Sequence, residues 1–318
     1  MRTLGRLDAW LFRPGDPRRL AALRVGLSSI LLVRLARGLY VQWASEPNAL
    51  YRPESFMRLM PDVPPRGVIL TVQCVAIACA CCAIVGYRAR LSFALAWAGS
   101  VFLIGMVASF GRDGQNETMV LLAAVPLLAS RCGDRWSLDA LLRRGSGAEP
   151  TGLAAPYGWP VRAATIVVAG GYWFAGVAKL VWSGPAWILG SNLRWILYTA
   201  SDAQRAPNTL GLLIANHPPL AHLVAGAALA TELFFPVVLW RPRAAWIFVP
   251  SVIALHTAIW LTIGLNYFAW AATALVVFTD WVWCVSRVRR ATQALLPPRA
   301  LSGPLGQPQS LPDGRGSA

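Results

Sequence analysis

The chain has 318 residues, 56% of them hydrophobic and only 14% charged, with 15 tryptophans. Soluble domains carry about 25% charged residues, and several runs here approach the roughly 20 apolar residues that cross a bilayer. A soluble globular protein is therefore excluded, and an all-α polytopic transmembrane helix bundle is expected. The net charge of +15 raises nucleic-acid binding as an alternative. The arginines, however, lie in short loops between apolar runs, a pattern of membrane topology and not of a nucleic-acid patch.

Residues 1–19 form a basic segment with Arg2, Arg6, Arg13, Arg18 and Arg19. It lacks the compact apolar core and small-residue cleavage site of a removable signal peptide. The first apolar run, Leu20 to Tyr40, holds Arg24 and Arg34. Arg34 falls inside the bilayer or at its edge, so it needs a partner or an aqueous cavity. A proline-containing connection over Gln42 to Arg66 leads to two apolar runs, Gly67 to Gly86 and Leu91 to Phe110. A tight turn carrying Arg88 and Arg90 separates them. The polar stretch Gly111 to Glu117 interrupts the pattern, and Thr118 to Ser130 resumes it as a helix short for a span, with its polar start reaching into the bundle. In the basic loop that follows, Ser137 is expected to cap a short helix beginning at Trp136-Ser-Leu-Asp139.

The stretch Gly170 to Trp187 carries Lys179, the single lysine among 29 basic residues. Arg stays charged at any accessible pH, whereas a desolvated Lys sheds its proton and becomes a neutral amine base. Tyr172, Ala175 and Gly176 share the helix face of Lys179, while Trp173, Val177 and Val181 lie on the other. Small faces pack against helices and bulky apolar faces meet lipid, so Lys179 is expected to point into the bundle.

Beyond it, Ser183 to Pro219 is too irregular for a span. Trp187, Leu193, Trp195, Ile196 and Tyr198 read as an amphipathic helix in the interface. His222 to Trp240 holds Glu232, with Pro236 bending it one turn later. Ala244 to Gly264 carries His256, and Tyr267 to Val285 ends near Asp280. Glu232 and Asp280 are costly in lipid and are expected to face a partner such as Arg24 or Arg34. The six cysteines have no zinc-site spacing of partners and read as small apolar residues.

Eight spans make the charges consistent: a transmembrane domain over residues 20–290 and a disordered Pro/Gly-rich tail over 291–318. The positive-inside rule then puts both termini in the cytoplasm of a cell-membrane protein. Glu117, Lys179 and Trp187 fall near the outer side, with His256 deeper.

Several blocks, in order, resemble the HTTM-domain proteins and the membrane domain of the vitamin K-dependent γ-glutamyl carboxylase. They are Arg13-Pro-Gly-Asp-Pro17 with Arg24-Val-Gly-Leu, Val85-Gly-Tyr-Arg88, Trp136-Ser-Leu-Asp-Ala-Leu-Leu142, Tyr172-Trp-Phe-Ala-Gly-Val-Ala-Lys-Leu180, Trp187-Ile-Leu-Gly190, and Leu255-His256 with Ile263-Gly264. The resemblance implies that Lys179 stands where the carboxylase has the lysine that deprotonates reduced vitamin K. It also implies Glu117 and His256 as catalytic neighbours. Asn116, Tyr172 and Trp187 are expected to line the site of a reduced quinone or lipid-like small molecule. Gln115-Asn116-Glu117 replaces the family's Asn-Asn-His, and a carboxylate near Lys179 would raise its pKa and oppose a base role. The expected function is a quinol- or lipid-linked enzyme, with γ-glutamyl carboxylation itself not expected without a substrate domain. The alternative is a non-catalytic lipid- or quinone-binding or scaffolding membrane protein.

Overall fold

The fold follows from a computed structural model that describes residues 2–111, 115–143, 152–203 and 208–295. Among the described residues it is helical, with one isolated antiparallel bridge between Gly15 and Ala154. The chain divides into two units, residues 1–280 and 281–318.

In the first unit, α1 (Arg2–Leu11) precedes α2 (Pro17–Arg37). Asp16 starts α2 by accepting the amide of Arg18 at 2.7 Å, with Pro17 pre-set for the first turn. Short 3-10 turns over Tyr40–Ser45, Asn48–Leu50 and Ser55–Leu59 lead to α3 (Arg66–Val85) and α4 (Ala89–Ala108). Then come α5 (Gln115–Leu128), the one-turn α6 (Leu138–Leu142) and the long α7 (Ala155–Ser183). The irregular stretch after Lys179 resolves into α8 (Ala186–Leu189), α9 (Asn192–Ala203) and α10 (Thr209–Asn216). In α9, Trp195 is exposed and Leu197 buried, as an amphipathic helix requires. Next are α11 (Pro218–Phe234), α12 (Val237–Trp240), α13 (Ala245–Ile263) and α14 (Phe268–Phe278). Pro236 stands in the break between α11 and α12, where the sequence places a bend. The second unit contributes α15 (Trp281–Leu295), in which the Arg287 guanidinium lies 5.4 Å from the Trp283 ring centroid. Most of the expected disordered tail, residues 296–318, lies outside the described residues.

Among the described residues, four helical stretches are long and apolar enough to cross a bilayer: α3, α4, α7 and Pro242–Ile263, which contains α13. The number rises to six if two broken pairs, α10 with α11 and α14 with the start of α15, each count as one span. The expected eight is not confirmed among the described residues. The 21-residue α2 is long enough but holds Arg18, Arg19, Arg24, Arg34 and Arg37. The 14 residues of α5 extend about 21 Å at 1.5 Å per residue, short of the roughly 30 Å hydrocarbon core. α10 and α11 meet at 105°, with His217 at the corner and Pro218 opening the second helix.

The apolar interior has two centres. One lies where α2, α5, α7 and α14 meet, around Leu27, Val120, Val168 and Ala274; the other joins α3 and α4 to the 3-10 turns through Leu35, Tyr40, Met57, Ile69 and Leu103.

At one end of the bundle the connections are locked by charge-assisted bonds to backbone. Arg24 has no exposed surface, and donates to the carbonyls of Cys132 at 2.5 Å and Trp136 at 2.6 Å. Ser137 caps α6 through the amide of Ala140 at 3.0 Å. Asp139 accepts the amides of Arg88 and Ala89, each at 2.8 Å, and so holds the α3–α4 turn. Arg162, on the second turn of α7, donates to the carbonyls of Leu11 at 3.0 Å and Pro14 at 3.3 Å. Arg24 therefore serves backbone carbonyls and not the acidic partner the sequence reading assigned to it.

Candidate functional site

Lys179 lies in the last turns of α7, and its helix faces are those the sequence implies. Tyr172 and Gly176 are buried, whereas Trp173 and Val181 are 41% and 72% exposed. Its Nζ donates to both carboxylate oxygens of Glu232, at 2.8 Å to Oε1 and 2.7 Å to Oε2. The side chains of Lys179 and Glu232 are 24% and 9% exposed. The sequence alone places Glu232 opposite a partner such as Arg24 or Arg34. It turns instead toward α7, because Gly176 leaves room for α11: a Cβ there would stand 3.0 Å from Leu233 and 3.2 Å from the Cβ of Glu232.

Trp187 comes next to the ammonium by a change of direction. Gly184 ends α7, the chain turns through Pro185, and α8 brings the Trp187 ring centroid to 5.4 Å from Nζ. That distance allows a cation–π attraction. The Trp187 indole N–H is buried without a protein acceptor.

Two turns earlier on the same face, the Tyr172 hydroxyl meets Nε2 of His256 at 3.1 Å. An aromatic enclosure surrounds this pair. Phe235 stacks on Tyr172 with centroids 4.6 Å apart, Trp270 meets the Tyr172 ring edge-on at 5.6 Å, and Tyr267 stacks on His256 at 5.8 Å. Nδ1 of His256 is buried without a partner. The link between the two pairs is α11 and its C-cap: Glu232 reaches Lys179, and Phe235, three residues on, covers Tyr172.

Glu117 and Asn116 belong elsewhere. Glu117, in the first turn of α5, forms an ion pair with Nη2 of Arg34 on α2, with side-chain exposures of 11% and 28%. The carboxylate beside Lys179 is thus Glu232 and not the expected Glu117, which neutralises the arginine that needs a partner. Asn116 and Glu117 line a cavity of about 250 Å³ with Arg34, Tyr40, Trp43 and Ile104. The expected site residues therefore fall into two centres: Lys179, Trp187, Tyr172 and His256 along α7, and Asn116 with Glu117 at the start of α5. Glu232 and Phe235 were not expected in the first centre, nor Arg34 as partner in the second. For Glu232 a signal existed, since it is the one carboxylate in its apolar run and the chain has one lysine.

A helix bundle with ionisable side chains paired inside it is a general membrane architecture, and the family is decided by the whole chain. The model of the HTTM domain matches residues 12–283. The chain belongs to the HTTM-domain family. The resemblance to the γ-carboxylase membrane domain follows from that membership. No curated protein and no solved structure matches the chain. In this HTTM domain, the α7 centre combines a primary amine, a carboxylate able to share its proton, and an unpaired indole N–H. Such a set can pass a proton between the amine and the carboxylate.

Proposed function

We propose that this HTTM-domain protein is a multi-pass membrane enzyme acting on a reduced quinone or a similar lipid-soluble hydroxyl compound, with the Lys179–Glu232 pair as its proton acceptor. The observation that carries the reading is the chain's one lysine, held by a carboxylate on a bundle-facing surface beside the orphaned Trp187 indole N–H. That donor and the Trp187 ring fit a quinol, one bonding to a ring oxygen and the other stacking on its face. A bound quinol supplies an acidic hydroxyl and two electrons.

The chain's own part is proton handling. At rest the Lys179 ammonium is an acid, not a base, because Glu232 holds both its charge and its hydrogens. Passage of one proton from Nζ to a Glu232 oxygen converts the pair into a neutral amine and a neutral acid. Loss of water from the site favours this exchange, since two opposite charges leave a low-dielectric medium together. The Nζ lone pair is then free to accept a ligand proton. An arginine at 179 has no such neutral form. In this reading both termini are cytoplasmic and the pair lies toward the outer face of the cell membrane.

Oxygen-dependent oxidation of a naphthohydroquinone by the purified protein tests the reading. Lys179→Ala and Lys179→Arg are each expected to lower the rate by at least 100-fold, and Glu232→Gln to lower it with quinone binding retained. Unchanged turnover in both Lys179 variants removes Lys179 from the chemistry. A second reading, a structural ion pair in a non-catalytic quinone or lipid binder, is favoured by the two short bonds from one ammonium to one carboxylate. It predicts that Lys179→Ala lowers thermal stability while quinone binding stays intact.

A further inference from the structure

The cavity beside Arg34 stands apart from the α7 centre and has a composition of its own. It is lined where several elements end: the last turn of α2, the 3-10 turn over Tyr40–Ser45, the last turns of α4 and the first turn of α5. Elements ending together mark one end of the bundle, where a span meets the headgroup layer. Aromatic residues such as Tyr40 and Trp43 are at home in that layer. Leu39, at the rim, is 71% exposed.

The charges select the ligand. Among the residues lining the cavity the charged ones, Arg34 and Glu117, cancel, and the neighbouring Arg37 stands exposed outside that lining. A ligand with one net charge would therefore bring an uncompensated charge beside a carboxylate that is only 11% exposed. A head carrying both signs would not. Arg34 gives Nη2 to Glu117, but its Nε–H is buried without a protein acceptor. The side chain as a whole lines the cavity and keeps 28% of its surface open, so an anionic oxygen there gains a charge-assisted bond to the guanidinium. Beside it, the Glu117 carboxylate and the rings of Tyr40 and Trp43 offer an electron-rich surface of the type that holds ammonium groups. Apolar Leu39 and Ile104 line the same cavity and give an acyl chain a path away from it.

We infer that the Arg34–Glu117 cavity binds a zwitterionic phosphate–ammonium head, with the phosphate on Arg34 and the ammonium among Glu117, Tyr40 and Trp43. This chemistry is shared by phosphatidylethanolamine, phosphatidylcholine and their free glycerophospho-headgroups. The inference is independent of any chemistry at Lys179.

Native mass spectrometry of the full chain, titrated in detergent with dioleoylphosphatidylethanolamine or dioleoylphosphatidylglycerol, tests it. The wild type is expected to retain the zwitterionic lipid at a concentration at least tenfold lower than the anionic one. Arg34→Gln and Glu117→Gln each abolish that preference. The exchange Arg34→Glu with Glu117→Arg preserves an ion pair, and hence the thermal midpoint, yet loses the preference because the two charges have traded places. Lys179→Ala keeps it. Competition by millimolar glycerophosphoethanolamine identifies a free headgroup as a sufficient ligand, and its failure assigns the site to the lipid. Equal retention of the two lipids by the wild type overturns the inference. So does an unchanged preference in the folded exchange variant.

Discussion

At the level of single residues, the Lys179–Glu232 pair dominates, because both charges have left water and each depends on the other. Removing one partner of such a pair leaves an uncompensated charge, which costs roughly 3–5 kcal/mol, whereas replacing both with apolar residues of similar size is often neutral. Lys179→Met and Glu232→Leu are therefore each expected to lower the unfolding midpoint in detergent clearly, and the double variant to recover most of the loss. A double-mutant cycle on thermal unfolding measures this; additive losses mean that the two groups are not coupled. Tyr172→Phe is milder. It keeps the stacking on Phe235 and forfeits only the bond to Nε2 of His256, about 1 kcal/mol. The inward face of Lys179 was legible from Tyr172, Ala175 and Gly176 at helical spacing. Its partner was not, since helical periodicity says which way a side chain points and nothing about which residue, 53 positions away, waits there. Glu117, expected as a neighbour of Lys179, pairs with Arg34 instead, because the order of blocks along the chain does not say which of them meet in space.

At the level of elements, the blocks that carry the family resemblance divide by what they do. Arg24, the Gly86–Arg88 turn and the Trp136–Leu142 block converge on one end of the bundle and hold backbone to backbone. Gly86 shows why the turn is written as it is. Its φ of +81° lies in the left-handed region, and a Cβ there would stand 2.3 Å from the Cβ of Ser137. Gly86→Ala is thus expected to cost more than about 1 kcal/mol and to loosen the loop over residues 131–143. Faster tryptic cleavage at Arg131 and Arg135 than in the wild type reports it, and unchanged cleavage contradicts the latch. The Tyr172–Leu180 block, by contrast, supplies both members of the α7 centre that come from that helix. Composition read the helices well because their apolar runs are long and their ends carry Gly, Pro or a capping Ser. The expected eight spans counted α2, with its five arginines, and the 14-residue α5, neither of which passes as a span by length and apolarity among the described residues.

For the whole molecule, the two ends of the bundle differ in how their arginines are used. The latched end gathers Arg24, Arg88, Arg90, Arg131, Arg135, Arg143 and Arg162 around short connections. The other end holds the Arg34–Glu117 pair and its cavity, with Arg37, Arg52, Arg58 and Arg66 around the same connections. Positive residues near span ends tend to stay on the cytoplasmic side, so the orientation proposed above puts the latched end inward and the cavity outward. The helix α3 makes this directly testable, because its 20 residues reach about 30 Å, the thickness of the hydrocarbon core. It has Leu59, 87% exposed, before it and the exposed Arg90 after it. In a variant freed of its six native cysteines, Leu59→Cys is expected to react with a membrane-impermeant maleimide on sealed right-side-out vesicles. Arg90→Cys is expected to react only after permeabilisation. The opposite pattern inverts the molecule and delivers the cavity to the inner leaflet. Reaction of both positions from outside means that α3 does not cross, and the span count falls by one.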